Sequence, residues 1–488
     1  ENHIPMLVIT AQTPLSTFGR GAMQESSCTG VNTVELFHYC THYSTLVSHI
    51  EQFEHKLITA IMTAFSSPGP AHISVPMDVM RDRFGKSAPS FSLPKLLNRP
   101  ALYDDDAVEL LYKEFLAAQR PVFLIGDEAR EAIGTTLSVA ARLQAQVIVT
   151  PHGKGLVSPY HPLFRGVISF AGHRDANALL SDERVDRIFI IGANMGEWAS
   201  NGWDPRLFGL RIIHIESTDA NLARTPMAAL HVRGRLQTIM ERMLARLDKD
   251  GIDRTPAGTV SMPSAPQESR RHFRLDDEDK YLSDAVPIKP QRLMRELPRV
   301  LPANTYYLAD SGASLSWAIH YLHPYDRRMA GQRDGKGGLF HAVTEFASMG
   351  WAIGSAVGAA LARPGDPVAC IIGDGSMLMS GQEITVAIQE KLPVIFVVLN
   401  DSALGMVKHG QRMTGAEAIG TALPQVDFAA FAHALGARSH VIETPADLLA
   451  LDGRAIAAHP GPTLLDVRID KDEVPPIGFR TSFLKAAE

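Results

Sequence analysis

PVACIIGDGSMLMSGQEITVAIQEKLPVIFVVLNDSALGM, residues 367–406, holds two long apolar runs, each closing on an acidic turn. Runs of this kind, apolar on both alternating faces, predict strands buried on both sides of a parallel sheet, and the polar–apolar stretch between them predicts the crossover helix. Asp374 and Asp401 are 27 residues apart, the length of one strand–helix–strand unit. Both side chains are therefore expected at adjacent strand ends on one rim of the sheet, where open α/β sheets hold ligands. A hard divalent cation such as Mg²⁺ takes oxygen ligands and keeps substrate phosphates in its shell. Gly375 permits close backbone approach, and Ser376 opens a helix whose free N–H groups favour a diphosphate.

The same alternation extends in both directions. Upstream, residues 1–92 read as strand PMLVIT (buried from Ile4), a loop with Gly19 and Gly21, a helix through Ala60–Phe65 and strand AHISVP at 71–76. Lys86 to Ala101 reads as a linker by its Pro, Ser and Lys content. Residues 105–250 carry strands PVFLIGD (121–127), QVIVT, RIFIIGA (187–193) and LRIIHIES (210–217) with helical stretches between them, and Ala257 to Glu268 reads as a second linker. Residues 285–475 carry strand TYYLAD (305–310), a helix at 348–361, the two strands quoted above, a helix from Asp427 and strand PTLLDVRID (462–470). The expected fold is α/β: three αβα domains with mainly parallel sheets.

The chain has 488 residues, which at about 150 per domain also gives roughly three domains. It is 45% hydrophobic and 20% charged, a globular composition that excludes disordered and collagen-like chains. Forty-seven basic against 53 acidic residues give −6 with no block of one sign, which argues against nucleic acid or an anionic membrane as partner. The longest uncharged small-apolar stretch, Phe346 to Ala362, is 17 residues, short of the about 20 that span a bilayer. Three scattered cysteines (Cys28, Cys40, Cys370) form no disulfide framework, and a cytoplasmic location is expected. The 19 histidines show no HExxH, so a zinc site is not expected. His42, His72, His341 and His409 are acid–base candidates, of which His341 and His409 fall near the inferred site.

G-D-G, then 24 residues, then N-D-S-A-L-G-M-V resembles the diphosphate and metal motif of thiamine-diphosphate (ThDP) enzymes, and its flanks look most like the acetohydroxyacid (acetolactate) synthase large-subunit branch. The resemblance covers essentially the whole chain. It implies a pyrimidine-binding domain (with GRGAMQE, Gly19–Glu25, as one motif), a Rossmann-like central domain and a diphosphate-binding domain. Asp374 and Asp401 would bind Mg²⁺ through side chains and Ala403 through its carbonyl. Gly312, Ala313 and Ser314 match the loop on the other side of the diphosphate, with Gly375, Ser376 and Met406 also against the cofactor. Met349 matches the apolar residue wedged between the two cofactor rings, and the Ala347 carbonyl would accept from the pyrimidine amino group. The family's chemistry is addition to a 2-keto acid, loss of CO₂, and transfer or protonation of the remaining fragment. A homodimer or homotetramer with the site between subunits is implied.

Several positions depart from the family. Asp401 stands where asparagine is usual and adds a negative charge. Met77 replaces the lysine of I-P-K-D, Thr41-His42-Tyr43 stands for T-K-H, Gly410 replaces a tryptophan, and Asn194 replaces the arginine of G-A-R-F-D-D near acceptor and FAD. These changes speak against a strict acetohydroxyacid synthase and weaken the expectation of FAD. The family's glutamate that contacts the aminopyrimidine sits upstream of the stretch at which this sequence begins. The expectation is a chain shortened within its first domain, with weak or absent turnover as it stands. No catalytic residue is therefore assigned, Glu25 belongs to a different motif, and Gln24, His409 and His341 remain candidates. RIFIIGANMG followed by RIIHIES, with Glu216 at a strand end, outlines a nucleotide-binding unit but lacks GxGxxG.

The reading is a ThDP- and Mg²⁺-dependent decarboxylase/carboligase (a lyase or transferase) that uses a small-molecule 2-keto acid. The alternatives are a non-catalytic ThDP-fold regulatory or assembly subunit, or a flavin- or nicotinamide-dependent oxidoreductase using the central domain.

Overall fold

The computed structural model of the protein describes residues 3–85, 91–97, 102–256, 270–325, 338–342 and 344–478. The chain divides into two compact units, Glu1–Pro100 and Ala101–Glu488.

The first unit contains strands β1 (Met6–Gln12), β2 (Tyr43–Leu46) and β3 (Pro70–Pro76), all parallel, in the order β1-β3-β2. The helix Ile50–Ser66 lays Ala60 and Ala64 against Ala71, Ile73 and Val75, so β3 is the buried centre. The strand expected to be buried from Ile4 onward begins instead at Met6 and is an edge: Ile4, Met6 and Ile9 are each about half exposed. Its apolar residues contact β3 on one side only. His72 is a core residue: Thr10 Oγ1 lies 2.9 Å from Nε2, Ser44 Oγ 2.8 Å from Nδ1, and Phe37 stacks on the ring. The segment expected as a first linker carries a short helix, Leu93–Leu97, while 86–90 and 98–101 lie outside the described residues. The second expected linker also lies outside them.

The second unit holds two six-stranded parallel sheets. One comprises β4 (Pro121–Ile125), β5 (Gln146–Val149), β6 (Phe164–Val167), β7 (Arg187–Ile191), β8 (Ile212–Glu216) and β9 (Leu230–Arg233), ordered β6-β5-β4-β7-β8-β9. Counted within the sheet that is 3-2-1-4-5-6, the Rossmann order, with its switch point between β4 and β7. Gly126 and Gly192 close those two strands, and a Cβ on Gly126 would stand 2.1 Å from the Gly192 carbonyl oxygen, so only glycine fits.

The other sheet comprises β10 (Tyr306–Ala309), β11 (Phe340–Ala342), β12 (Val368–Gly373), β13 (Val394–Asn400), β14 (Arg438–Ile442) and β15 (Thr463–Arg468), ordered β11-β10-β12-β13-β15-β14. β12 and β13 are neighbours in parallel register, from Val368 opposite Val394 to Gly373 opposite Leu399, as the quoted stretch predicts. The small-residue helix Trp351–Ala362 buries Ala352, Ile353, Ala356 and Ala360 against Val368, Cys370 and Val394. Small side chains let its backbone come close to the sheet, and each buried Val, Ile or Leu beneath contributes about 1.5–3 kcal/mol. One continuous apolar cluster joins the layers of both sheets, from Phe123 and Ile191 through Trp317 and Phe340 to Val397 and Val467. No helix among the described residues is long and apolar enough to cross a membrane.

Candidate cofactor and metal site

β12 ends at Gly373 and the helix Asp374–Ser380 begins at once, which points Asp374 across the carboxyl end of the sheet. β13 ends at Asn400, whose amide donates to Asp466 Oδ1 at 2.8 Å and to the Val426 carbonyl at 3.0 Å. Asp466, buried on β15, also accepts from the Phe428 N–H at 3.0 Å and pairs with Arg468 at 2.9 Å. This anchors the strand end, and the chain then turns sharply: Ser402 is left-handed at φ 55°. The turn brings the Ala403 N–H to 3.3 Å from both Asp374 Oδ2 and Asp401 Oδ1. Asp374 Oδ1 accepts in addition from the Gly375 N–H at 2.7 Å.

The electrostatics follow from that convergence. Burial raises the pKa of Asp374. Burial first, and the charge of Asp374 second, push Asp401 up to about 7. Two carboxylates held together in a poorly solvated place are stabilised by a cation between them. Among the described residues no group of three or more His, Cys, Asp or Glu converges. The side-chain donor set available to a metal here is thus two carboxylates, with backbone oxygen, water and phosphate left to complete a shell. That is the habit of Mg²⁺ rather than of a metal held in an all-protein cage.

One cleft is lined by Asp374, Gly375, Ser376, Asp401, Ala403 and Met406, together with Gly312, Ala313, Ser314 and Met349. Added Cβ atoms on Gly312 and Gly373 would meet nothing within 4 Å, so these strand-end glycines leave open space that packing does not require. Gly312 is also left-handed, φ 99°, where it opens the helix Ala313–Tyr321. The first N–H groups of that helix have no side-chain cap, a donor set whose chemistry suits a diphosphate. The Ser314 hydroxyl is committed elsewhere, to the carbonyls of Asp310 (3.0 Å) and Ser311 (3.2 Å). Met349 Cε would lie 3.4 Å from a Cβ on Gly375, so Met349 touches the glycine beside the acidic pair. The residues present fit a diphosphate bridged by a divalent cation.

The remaining candidates lie elsewhere. Ala347 is left-handed, φ 51°, two residues before Met349, and does not line the cleft. His341 is on β11, near Arg130 (3.4 Å) and the Trp351 ring, and burial drives its pKa down to about 4. His409 is buried on the helix Gly405–Met413, with its pKa lowered by burial and by Lys408. Neither histidine lines the cleft. Gln24 is exposed and left-handed (φ 60°) in a loop of the first unit. Glu25 beside it accepts from the Gly19 N–H, Ser27 and Thr29, which lower its pKa to about 2.

Asp310 is the residue that sequence reasoning missed. Buried at the end of β10, it accepts from the N–H groups of Gly350 and Ala352, 2.9 Å each, and so ties the turn after Met349 to the sheet. Its only sequence signal is an acid closing the strand TYYLAD. Asn194 braces the chain just ahead of Met349, donating to Glu345 Oε1 at 3.0 Å and accepting from the Gly196 N–H at 3.0 Å. A Cβ on Gly410 would meet open space.

Two acidic strand ends beside a cleft kept open by Gly312 and Gly373 suit a cofactor that carries a diphosphate and a divalent cation. The family profile described as "Thiamine pyrophosphate enzyme, C-terminal TPP binding domain" matches residues 310–467, and "Thiamine pyrophosphate enzyme, central domain" matches residues 105–243. The chain belongs to that family. It is similar to the acetolactate synthase isozyme 1 large subunit of Escherichia coli, 26% identical over 502 residues, covering 99% of this chain and 82% of that one. A Mycobacterium tuberculosis protein, whose name provisionally assigns it as an acetolactate synthase large subunit, is 28% identical over 493 residues, covering 98% and 84%. The E. coli isozyme 2 large subunit is 25% identical over 497 residues, covering 99% and 83%.

Proposed function

We propose that this chain binds thiamine diphosphate through Mg²⁺ at the β12–β13 rim and uses it to break and form carbon–carbon bonds next to the carbonyl of a 2-keto acid. The observation that carries this reading is the Asp374–Asp401 pair on one N–H, facing open space kept by Gly312 and Gly373. When bound, the cofactor's thiazolium ring supplies the electron sink for decarboxylation. Asp374, Asp401 and the Ala403 carbonyl would hold the cation, while Gly375, Ser376, Gly312, Ala313 and Ser314 would surround the diphosphate with backbone donors. Met349 would support the ring system, with the Ala347 carbonyl as an acceptor and Met406 packed alongside. The open position at Gly410 supports an acceptor pocket wider than that of a synthase carrying tryptophan there.

Domain limits of 1–92, 105–250 and 285–475 belong to the same reading, as does a homodimer or homotetramer with the site between subunits. Together with the family assignment, the large-subunit relatives support carboligation as the reaction class. The test is thermal: ThDP with Mg²⁺ should raise the melting temperature, and Asp374→Ala should abolish the rise. No rise at saturating cofactor would reject the binding reading. A rise without CO₂ release from any 2-keto acid tried, in the full-length enzyme, would reject the catalytic one and leave a non-catalytic ThDP-fold subunit.

A further inference from the structure

The second unit carries another cavity, of about 940 Å³, that shares no lining residue with the cleft around Asp374. That is within the roughly 300–1,000 Å³ of small-molecule sites. The chain from Arg270 to Tyr281, the helix Pro290–Val300 and Tyr160, in the connection between β5 and β6, form its walls. Six guanidinium groups line it, those of Arg270, Arg271, Arg274, Arg295, Arg299 and Arg454, against the single carboxylate of Glu278.

Neighbouring acids neutralise only part of this charge. Glu278 pairs with Arg271 at 3.1 Å and Asp175 with Arg274 at 2.9 Å. The buried Glu296 is shared by Arg292, Arg295 and Arg299. Among the described residues Arg270 and Arg454 have no acidic partner. The chain as a whole carries −6, so this concave positive surface runs against the overall sign and concentrates small anions from solution.

Two further features point to more than a point anion. His323, 5% exposed, lines the cavity, and its Nε2 makes no hydrogen bond among the described residues. A buried polar atom left so is costly unless a ligand meets it. Aromatic faces complete the wall: the Tyr160 and Tyr325 ring centroids are 5.7 Å apart, and Arg271 lies 5.0 Å over the Tyr281 ring. Guanidinium forks suit phosphate oxygens, and flat rings beside them suit a heteroaromatic base.

We propose that this cavity binds a small molecule carrying two or more phosphates on an aromatic base, the chemistry of a nucleoside di- or triphosphate. The guanidiniums hold the phosphates, the tyrosines face the base, and His323 Nε2 takes up a hydrogen bond from the ligand.

Calorimetric titration of the full chain with ADP tests this, with pyrophosphate as the probe without a base. Because ThDP is itself a diphosphate, the titration is run on protein saturated with ThDP and Mg²⁺, and repeated on Asp374→Ala. One ADP per chain is expected, weakening as salt rises, with pyrophosphate weaker than ADP. The exposed double variant Arg270→Ala/Arg454→Ala breaks no ion pair among the described residues and should weaken ADP about tenfold or more, roughly 1.4 kcal/mol, while the ThDP-induced melting shift stays unchanged. Asp374→Ala should leave ADP binding intact. Absence of ADP binding at about 1 mM, equal affinity in the double variant, or loss of binding in Asp374→Ala would each overturn the site. Equal affinity for pyrophosphate and ADP would overturn the role given to the aromatic wall.

Discussion

Asp374 and Asp401 accept from the same backbone N–H, that of Ala403, each at 3.3 Å, and neither carboxylate has an ion-pair partner among the described residues. One N–H cannot balance two carboxylates, so in metal-free protein the pair is a source of repulsion that a divalent cation removes. Asp401→Asn, which keeps the shape and deletes one charge, should stabilise the protein in chelator by about 1–3 kcal/mol in urea unfolding. Adding Mg²⁺ should narrow the gap, because the cation relieves a repulsion between carboxylates that the variant lacks. A gap that Mg²⁺ leaves unchanged would show that the cation does not sit between these two residues.

Asp310 ends the strand β10 and caps two N–H groups forty residues further on. Asp310→Ala would leave the Gly350 and Ala352 N–H groups unpaired at the start of a helix whose next residues are buried. The expected loss is about 2–4 kcal/mol, the cost of two hydrogen bonds to a charged acceptor. Asp310→Asn, which can still accept once, should recover part of it. Because Gly350 follows Met349 directly, hydrogen exchange at residues 349–352 should rise more than at β4 or β7. Uniform exchange throughout the second unit would count against a local cap.

Glu216 ends β8 fully buried, with a pKa raised to about 9 by burial and by Glu128. Its ordinary value is 4.5, so between about 4.5 and 9 the folded protein holds a proton that the unfolded chain releases. Stability must then fall as pH rises through that window. Glu216→Gln removes the group that titrates. The variant should match wild type near pH 5 and become progressively more stable than it toward pH 9, measured by urea unfolding at each pH. Parallel curves would mean that Glu216 is already ionised in the fold.

What the sequence made legible, and what it hid, divides along physical lines. β12, β13 and the acids that close them are visible in residues 367–406 because a strand buried on both faces is apolar without interruption. The strand β14, RSHVI, is not legible because it is an edge with three of its five residues exposed and no regular alternation, and β11 because three residues carry no period. In β1 the error ran the other way: an apolar run at a sheet edge reads like a buried one, since periodicity does not count neighbours. Among the residues that line the cleft, Asp401 followed from spacing along the chain, and Gly312 and Met349 from the family resemblance. Asp310 did not, because its partners are forty residues away and the sequence shows only a carboxylate at a strand end. His341 and His409 are expected near the site, yet the first lies on β11, the second is buried on the helix Gly405–Met413, and neither lines the cleft.

Met349 sits at the cleft between the turn held by Asp310 and the backbone of Gly375. It is 38% exposed, so it contributes little to the core, and its removal should cost about 1 kcal/mol or less in stability. If it supports the cofactor rings instead, the penalty belongs in turnover. Met349→Leu, similar in volume, should keep most of kcat, whereas Met349→Ala should lower kcat about tenfold or more while the melting shift produced by ThDP and Mg²⁺ is retained, since that shift depends on the diphosphate and metal end. The measurement is CO₂ release by the full-length enzyme from the best 2-keto acid alongside the thermal shift, on the same preparations. Loss of the shift in Met349→Ala would assign the residue to binding, and unchanged kcat would leave it no part in holding the rings.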